Sequence, residues 1–160
     1  MTPTFEILIL LTSVGSGIVG GVFFAFSTFV MRALADLPAA AGIAAMQRID
    51  IVVINPWFMT PFLGTAILCV GICIATAFGV FATAPMLMYF GSTLYVFGTF
   101  GVTIAFNVPR NNTLATVDPV AASSEKVWRD YVKSWTRWNH VRTAAAILAA
   151  GVFAMALIHH

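Results

Sequence analysis

The chain has 160 residues, of which 60% are hydrophobic and only 9% are charged, and its formal net charge is +2 at neutral pH. A soluble globular domain carries about 25% charged residues, so this composition excludes a protein dissolved in water alone. The length allows one domain and no separate catalytic module. Eight basic residues against six acidic ones do not form the basic footprint of a nucleic-acid-binding protein, so no nucleic-acid partner is expected.

Four apolar stretches are long enough to cross a bilayer as helices, because about 20 residues span its hydrocarbon core. They cover residues 5–31, 56–81, 85–106 and 138–158. We therefore predict an all-α integral membrane protein in which residues 1–160 form a single domain. Its four transmembrane helices should pack as an antiparallel bundle, with the lipid bilayer as their surroundings.

The connection between the first and second spans contains a predicted amphipathic helix. Pro38 is expected in its first turn, since proline is favoured at the first helical position. The pair Asn55-Pro56 should end this helix and begin the next, because asparagine is a good N-cap and the residue before proline avoids α geometry.

The other two connections differ in length. Residues 82–84 form a very short, uncharged turn, so the second and third spans should make a tight hairpin. The polar residues 107–112 are expected to end the third span abruptly. Asp118 is the predicted N-cap of a long fourth helix, with Pro119 at its first position. That helix is longer than the hydrocarbon core is thick, so half of it should extend into the cytoplasm.

The basic residues predict an orientation in the cell membrane. All eight Lys and Arg residues lie on the side of the two long connections: Arg32, Arg48, Arg110, Lys126, Arg129, Lys133, Arg137 and Arg142. Basic residues favour the cytoplasmic side. The long connections should therefore be cytoplasmic, and both termini of this multi-pass protein should lie outside.

Small residues indicate where the helices approach one another. In the first span they recur at every fourth position, at Ser13, Gly17, Gly21 and Ala25. The third span offers Gly91, Gly98 and Gly101. Small residues let membrane helices pack closely, and such faces would also allow a homo-oligomer.

The most unusual stretch runs from Trp135 to Arg142 and places polar, aromatic and basic side chains at the mouth of the fourth span. With about 100° per residue, Trp135, Trp138, Asn139 and Arg142 share one face of the helix. That face should point into the bundle, because it continues into small residues. His140 lies about 160° from Arg142 on the same helix, so both could serve one ligand only if it lay between helices.

A polar cluster is predicted around this mouth. The first connection supplies Gln47, Asp50 and Asn55, and the second supplies Asn107, Asn111 and Asp118. A guanidinium at the membrane edge needs partners. We therefore expect Arg142 to form a hydrogen bond with Asp50, Asp118 or one of the asparagines Asn55, Asn107 and Asn111.

Structural roles for these residues stay open as alternatives. Trp135 and Trp138 also suit an interfacial aromatic belt, and Arg142 suits a role in locking the connections together. A lone interfacial histidine such as His140 is more often structural than catalytic. Its unperturbed pKa of about 6.5 nevertheless suits proton transfer near neutrality. The chain has no HxxxH or ExxH motif, so no metal site is predicted.

Several motifs together carry a family resemblance. They are the run Trp128-x-x-Tyr131-x-x-x-Trp135-x-x-Trp138-Asn139-His140-x-Arg142-Thr143, the segments Asn107-Val-Pro-Arg-Asn111, Asp118-Pro119 and Phe26-Ser-Thr-Phe-Val-Met31, and the shorter Met46-Gln47 and Asn55-Pro-Trp57. In these motifs the chain resembles the anthrone oxygenase-like membrane proteins. The resemblance covers nearly the whole chain.

The resemblance implies oxidation of a polyphenolic anthrone to an anthraquinone by O₂, without a metal or flavin cofactor. Such a site needs a base, a group that holds the oxyanion and an apolar slot. By this resemblance His140 would be the base, and Asn139 with Arg142, or Tyr95, would hold the oxyanion. The substrate-binding residues would be Trp135, Trp138, Tyr95, Asn107, Asn111 and Asn55, near an aromatic slot between residues 23–29 and 89–100.

A non-enzymatic membrane protein is the competing hypothesis. A module that binds or carries a lipophilic aromatic molecule, or a subunit of a larger membrane complex, would have the same composition. Glu6, at the outer end of the first span, is the only acidic residue in the four predicted spans, and this scarcity argues only against a proton-coupled pump.

Overall fold

The computed structural model describes residues 3–81 and 84–158. Residues 82 and 83 of the predicted short turn, and the terminal His159 and His160, lie outside the described residues. Every regular element in the described ranges is helical, and they contain no strand. The predicted all-α class is therefore confirmed.

Five helices organise the described residues: α1 (Pro3–Ala35), α2 (Ala39–Val52), α3 (Pro56–Ala77), α4 (Pro85–Ala115) and α5 (Ser124–Ile158). All of them except α2 are long and apolar enough to cross a membrane. The four predicted spans are thus confirmed as helices, and α2 is the helix predicted in the first connection.

The first and last helices form the main packing pair of the bundle. The Ser13 hydroxyl donates to the Ala150 carbonyl over 2.9 Å, near the far end of α5. Further along α1, the amide of Asn139 donates to the Phe23 carbonyl over 2.8 Å. The contacts therefore run in opposite order along the two helices.

The small-residue face of α1 differs from the prediction. Gly17 and Gly21 are exposed, whereas a Cβ added to Gly20 would lie 3.3 Å from the Ala146 side chain. A Cβ added to Gly15 would collide with the Thr65 hydroxyl of α3. The predicted stripe is wrong for Gly21, which has nothing within 4 Å of its added Cβ, whereas a Cβ added to Gly17 would lie 4.0 Å from the Ala150 side chain. Helix α1 packs against two neighbours, α3 and α5, and a one-helix pattern cannot tell which adjacent face each one takes.

Two glycines of α4 have the predicted role. A Cβ added to Gly98 would lie 2.6 Å from the Cβ of Ala145, and one added to Gly91 would lie 3.0 Å from the Phe153 ring. Small residues therefore set the distance between α4 and α5. Gly101 does not take part, since the nearest atom to its added Cβ is a carbonyl oxygen of α4 itself.

The third span does not end where the polar residues begin. Helix α4 continues through Pro109 to Ala115, with π-helical turns over Leu94–Gly101 and Thr103–Asn107. Proline normally interrupts a helix because it lacks an N–H and crowds the preceding turn. The wider π turn before Pro109 accommodates it, and Arg110 donates a hydrogen bond of 2.6 Å to the Phe106 carbonyl.

The long fourth helix predicted to start at Pro119 begins later. Asp118 accepts a hydrogen bond of 3.1 Å from the Val120 N–H, and helix α5 starts at Ser124. The Asp118 side chain thus closes a local turn, which competes with helix initiation. At 35 residues, α5 is about 52 Å long, well beyond the hydrocarbon thickness.

The first connection is tied to the bundle by polar contacts. Gln47 donates to the carbonyls of Leu114 and Val117, each over 2.9 Å, so α2 is fixed to the end of α4. Asn55 caps α3 as predicted, accepting a 3.2 Å hydrogen bond from the Phe58 N–H. Ile43 and Met46 of α2 are buried, whereas Ile51 is exposed.

Candidate functional site

A cavity of about 270 Å³ lies under α2, where all five helices meet. This volume is just below the range of about 300–1,000 Å³ typical of ligand pockets, so it suits one compact ligand. The walls are mostly aromatic and aliphatic, and five polar or charged side chains are the exceptions: Asp50, Thr103, Asn111, Asn112 and Arg142. Apolar walls with a few converging polar groups are typical of a small-molecule site.

Arg142 is the charged group held deepest at this cavity, with only 6% of its surface exposed. Its Nε donates to Asn139 Oδ1 over 2.9 Å, and one terminal nitrogen, Nη1, donates to Thr103 Oγ1 over 3.3 Å. The other terminal nitrogen, Nη2, has no protein acceptor among the described residues. The guanidinium therefore keeps donors for a ligand.

Aromatic rings hold the guanidinium in place. Its Cζ lies 3.8 Å from the centre of the Phe23 ring and 5.0 Å from that of Trp135. A cation over an aromatic face is stabilised by about 2 kcal/mol when it is shielded from water. Arg142 is thus stabilised by rings and neutral oxygens rather than by a carboxylate in direct contact.

Asn139 orients Arg142 and joins α5 to α1. It is fully buried, and its amide nitrogen donates to the Phe23 carbonyl over 2.8 Å and to Ser27 Oγ over 2.7 Å. These two bonds fix the amide so that its oxygen faces the Arg142 Nε. Ser27 lies in the π-helical turn Phe26–Val30, whose altered register brings its hydroxyl to this point.

A second hydrogen-bond chain crosses the cavity wall. Asn111 donates to Asp50 Oδ1 over 2.9 Å, and its own oxygen accepts from the Tyr131 hydroxyl over 2.9 Å and from Trp135 Nε1 over 2.7 Å. One amide thereby connects α2, α4 and α5. The network fixes the position of the Asp50 carboxyl at the edge of the cavity.

The charge state of Asp50 is shifted by its surroundings. Burial raises its pKa from 3.8 to about 6, against the opposing effect of the Arg142 cation. Burial disfavours the charged form of a carboxyl group. A carboxylate that titrates close to neutrality is better suited to accept and return a proton than an ordinary aspartate.

The predicted partners of Arg142 are wrong. None of Asp50, Asp118, Asn55, Asn107 and Asn111 forms a hydrogen bond or ion pair with it among the described residues; Asn139 and Thr103 do instead. The Asp50 carboxyl is held by Asn111, which leaves space between the acid and the guanidinium. The second partner comes from a π-helical turn of α4, and sequence spacing does not predict its orientation.

The wheel-based orientation of the fourth span is confirmed. Asn139 and Arg142 are buried, whereas His140 is exposed and lines a shallow groove between α1 and α5. His140 is absent from the lining of the cavity that contains Arg142. A catalytic role for His140 stays a prediction from the sequence, and the structure does not bring it to the same cavity.

The remaining predicted residues support the cavity from behind. Tyr95 donates to the Phe62 carbonyl over 3.1 Å, and Asn107 donates to the Trp135 carbonyl over 3.2 Å. The Trp138 ring stacks on Phe106 with its centre 3.6 Å away. Of the predicted substrate-binding residues, the cavity lining includes Trp135 and Asn111, and it omits Tyr95, Trp138, Asn107 and Asn55.

Sequence reasoning missed part of the apolar wall. The aromatic slot predicted from the sequence contains Phe23 and Phe26 of α1. It contains neither Phe58 nor Phe62 of α3. These two rings stack 5.7 Å apart at an angle of 13°, and both line the cavity. Their spacing of four residues puts them on one helix face. Any buried helix shows the same spacing, so it does not by itself predict a cavity.

The residues described show no ready metal site. No group of three His, Cys, Asp or Glu side chains in residues 3–81 and 84–158 lies close enough to hold an ion. The polar groups at the cavity are one acid, one guanidinium and neutral hydrogen-bonding groups. They suit proton transfer and the binding of a developing anion.

A model of the anthrone oxygenase family matches residues 56–152, well over half of the chain. The chain belongs to the anthrone oxygenase family. No curated protein and no solved structure matches the chain. In this family member the matched segment carries Thr103, Asn111 and Arg142, while Phe23 and Asp50 come from the segment that precedes it. The family resemblance predicted from the motifs is confirmed.

Proposed function

We propose that the cavity under α2 binds an anthrone-type aromatic ketone and oxidises it with O₂ to the quinone and water, without a metal or flavin. The supporting observation is that an acid titrating near neutrality and a buried guanidinium with unused donors line the same apolar cavity. The family membership narrows the reaction class. The substrate and the absence of a cofactor are parts of this proposal.

The first step is removal of a proton from the CH₂ group opposite the carbonyl. The carbanion that remains is conjugated with that carbonyl, so its negative charge develops on the oxygen. Asp50 takes the proton in this proposal, since it is the carboxyl group at the cavity. A base in position contributes about 10²–10⁴-fold to the rate of such a step.

Arg142 holds the oxygen on which this charge develops. Its free Nη2 donor requires no rearrangement of the protein, because Asn139 and Thr103 already fix the other two nitrogens. A donor fixed in advance in a site with little water is worth more than the same donor in water. Arg142 thereby stabilises the anion in this proposal, and no metal ion is needed for it to form.

O₂ then oxidises the anion. One electron passes from the anion to O₂, and the resulting radical and superoxide combine at the former CH₂ carbon. The peroxide formed there takes up the proton held by Asp50. Loss of the second C–H proton to Asp50 and cleavage of the O–O bond gives the new C=O and hydroxide, which takes that proton to become water. One O₂ is consumed for each quinone.

The membrane supplies both reactants in this proposal. O₂ and flat aromatic molecules are concentrated in hydrocarbon, and the cavity walls are mainly apolar. The basic residues of α1, α2 and α4 and those in the first half of α5 lie on the side of the long connections. By the positive-inside rule the cavity faces the cytoplasmic side of the cell membrane, with both termini outside.

Purified protein in neutral detergent tests the proposal. We expect O₂ uptake and anthraquinone formation faster than in empty micelles, unchanged by a metal chelator, because no metal takes part. With ¹⁸O₂, the label should appear in the new quinone carbonyl. If the protein oxidises no anthrone faster than empty micelles, the oxygenase proposal fails and the binding or carrier hypothesis takes its place.

A further inference from the structure

A groove on the outer face of the α1–α5 pair has a composition unlike the cavity described above. Its lining comes from the end of α1 and the middle of α5: Ser27, Thr28, Met31, Arg32, Ala35, Val132, Lys133, Thr136, Arg137 and His140. On α5, Lys133, Thr136, Arg137 and His140 are spaced by three or four residues and therefore share one face. The groove and the cavity lie on different faces of α5.

The charged side chains that line this groove are all basic. Arg32, Lys133 and Arg137 bring cations from two helices, and none of the lining residues is acidic. Asp130, the acid nearest to them on α5, lines a different groove beside α4. Asp36 follows the last turn of α1 and is not part of the lining. An anion in the groove would therefore meet positive side chains from both helices.

A neutral donor completes the site. The hydroxyl oxygen of Thr136 is buried and has no hydrogen-bond partner among the described residues. Buried polar atoms almost always have a partner, so an unpaired one calls for an explanation. Thr136 belongs to the groove lining, between Lys133 and Arg137. Thr136 is half-buried, and rotation of its side chain would turn the hydroxyl from its buried position toward an anionic oxygen in the groove.

The apolar base of the groove and its position at the membrane boundary favour a lipid as the ligand. Met31, Ala35 and Val132 give it an apolar base. Helix α5 changes from polar to almost purely apolar at Thr143, one turn beyond His140. The groove therefore lies at the membrane boundary, where headgroup phosphates are found. The cytoplasmic leaflet is the anionic one, and it is the side on which the basic residues are predicted to lie.

We propose that this groove binds the phosphate of an anionic lipid headgroup. Arg32, Lys133 and Arg137 bind the phosphate oxygens, Thr136 donates its hydroxyl after rotation of its side chain, and His140 lies at the rim. The proposal gives the exposed face of the Trp135–Arg142 stretch a role separate from the chemistry of the cavity. It does not depend on the proposed oxygenase activity.

Two variants and a control test the groove. Each basic residue near an anionic surface contributes about 1 kcal/mol, or roughly fivefold in affinity. The double variant Lys133→Gln/Arg137→Gln should therefore bind anionic lipid about 25-fold more weakly. The double variant Arg48→Gln/Lys126→Gln removes the same charge from exposed positions outside the groove, and it should bind normally.

Thr136→Val separates the hydroxyl from the general charge effect. Valine has nearly the same shape, so the variant leaves the net charge and the groove outline unchanged. Loss of a hydrogen bond to a charged group costs about tenfold or more in binding. We expect this loss for anionic lipid, together with unchanged thermal stability in lipid-free detergent, since the hydroxyl has no protein partner to lose.

Native mass spectrometry of the full chain in neutral detergent measures the binding. The probes are short-chain phosphatidylglycerol, short-chain phosphatidylcholine and inorganic phosphate. The proposal predicts preferential binding of phosphatidylglycerol that both groove variants reduce and the control variant does not. Equal binding by wild type and the groove variants would overturn it. Equal affinity for inorganic phosphate and phosphatidylglycerol would overturn the lipid as the source of the phosphate.

Discussion

At the scale of single residues, Arg142 and its immediate neighbours carry the account. A guanidinium buried at a membrane edge without a carboxylate in contact is costly unless hydrogen-bond acceptors and aromatic rings stabilise it. Asn139, Thr103 and the ring of Phe23 supply them. The site is therefore preorganised around a cation that still has a donor for a ligand.

Replacing Asn139 by alanine should destabilise the protein by about 3 kcal/mol. The change removes the hydrogen bonds from Asn139 to the Phe23 carbonyl and the Ser27 hydroxyl and leaves the buried Arg142 Nε without its acceptor, and unpaired buried groups carry this kind of cost. Thermal unfolding in detergent measures it. His140→Ala, at the exposed neighbouring position, should change stability by less than about 0.5 kcal/mol. Equal stability of the two variants would contradict the role given to Asn139.

The difference in stability between the Asp50→Asn variant and wild type should shift in favour of the variant as the pH rises. The folded state binds this proton more tightly than the unfolded chain, since burial raises the pKa of Asp50 from 3.8 to about 6. The resulting stabilisation is complete below the unfolded pKa and is lost as the pH rises through the folded value. Asparagine does not titrate, so the stability of the variant does not fall with pH at this position.

Melting temperatures of both proteins in one detergent, measured between about pH 4 and pH 8, test this. The melting temperature of the variant should rise relative to that of wild type mainly as the pH increases to about 6. A gap that stays constant, or that narrows with rising pH, would show that Asp50 is not held in its protonated form by burial.

At the scale of helices, the departures from regular α geometry determine where the site residues point. The π turns place Ser27 beside Asn139 and carry α4 past Pro109, so that Asn111 reaches the α2–α5 contact. Single π turns are frequent at functional sites. Thr103 lies in one of these π turns and lines the same cavity as Asp50, which comes from the regular helix α2.

Gly98→Ala should destabilise the contact between α4 and α5. The added Cβ would lie 2.6 Å from the Cβ of Ala145, so the helices must move apart. Gly64→Ala is a matched control in α3, because nothing lies within 4 Å of its added Cβ, and it should stabilise by about 0.5–1 kcal/mol. If Gly98→Ala melts as high as Gly64→Ala, the close approach of α4 and α5 is not present in solution.

The sequence predicted the elements better than their ends and faces. Apolar length located the four spans, and the asparagine before Pro56 located a cap that the structure confirms. The C-terminal end of α4 and the start of α5 were missed because a π turn and an aspartate turn overrode the local propensities. Such effects depend on neighbouring helices, which a single-chain pattern does not contain.

The candidate site was predictable in part, since Trp135 and Asn111 were predicted and line the cavity. A helical wheel correctly separated Asn139 and Arg142 from His140, since that separation depends on α5 alone. The hydrogen-bond partners of Arg142 were not predictable, because Thr103 reaches it from another helix through a π turn. Phe58 and Phe62 form part of the wall, but their pattern is the same as that of an ordinary buried helix face.

At the scale of the whole molecule, charge and hydropathy are divided between the two ends. The basic residues lie on the side of the connections that carry α2 and the first half of α5, and the cavity and the groove both lie there. In the proposed orientation this is the cytoplasmic end. A lipophilic ligand and an anionic headgroup would then approach the protein from the same leaflet.

A reporter fused after His160 tests this orientation. Alkaline phosphatase, which is active only outside the cytoplasm, should be active in this position, since the basic residues lie at the opposite end. A fluorescent protein that matures only in the cytoplasm should give no signal there. The reverse result would place the cavity and the groove on the outer side of the membrane.

The rate of anthrone-dependent O₂ uptake by Asp50→Asn, measured beside wild type and His140→Ala, tests the central claim most directly. Asp50 lines the cavity and His140 does not. Asp50→Asn should therefore lose about 10²–10⁴-fold in rate, the usual contribution of a general base, while His140→Ala keeps the wild-type rate. A fully active Asp50→Asn together with an inactive His140→Ala would contradict the account and move the chemistry to the other face of α5.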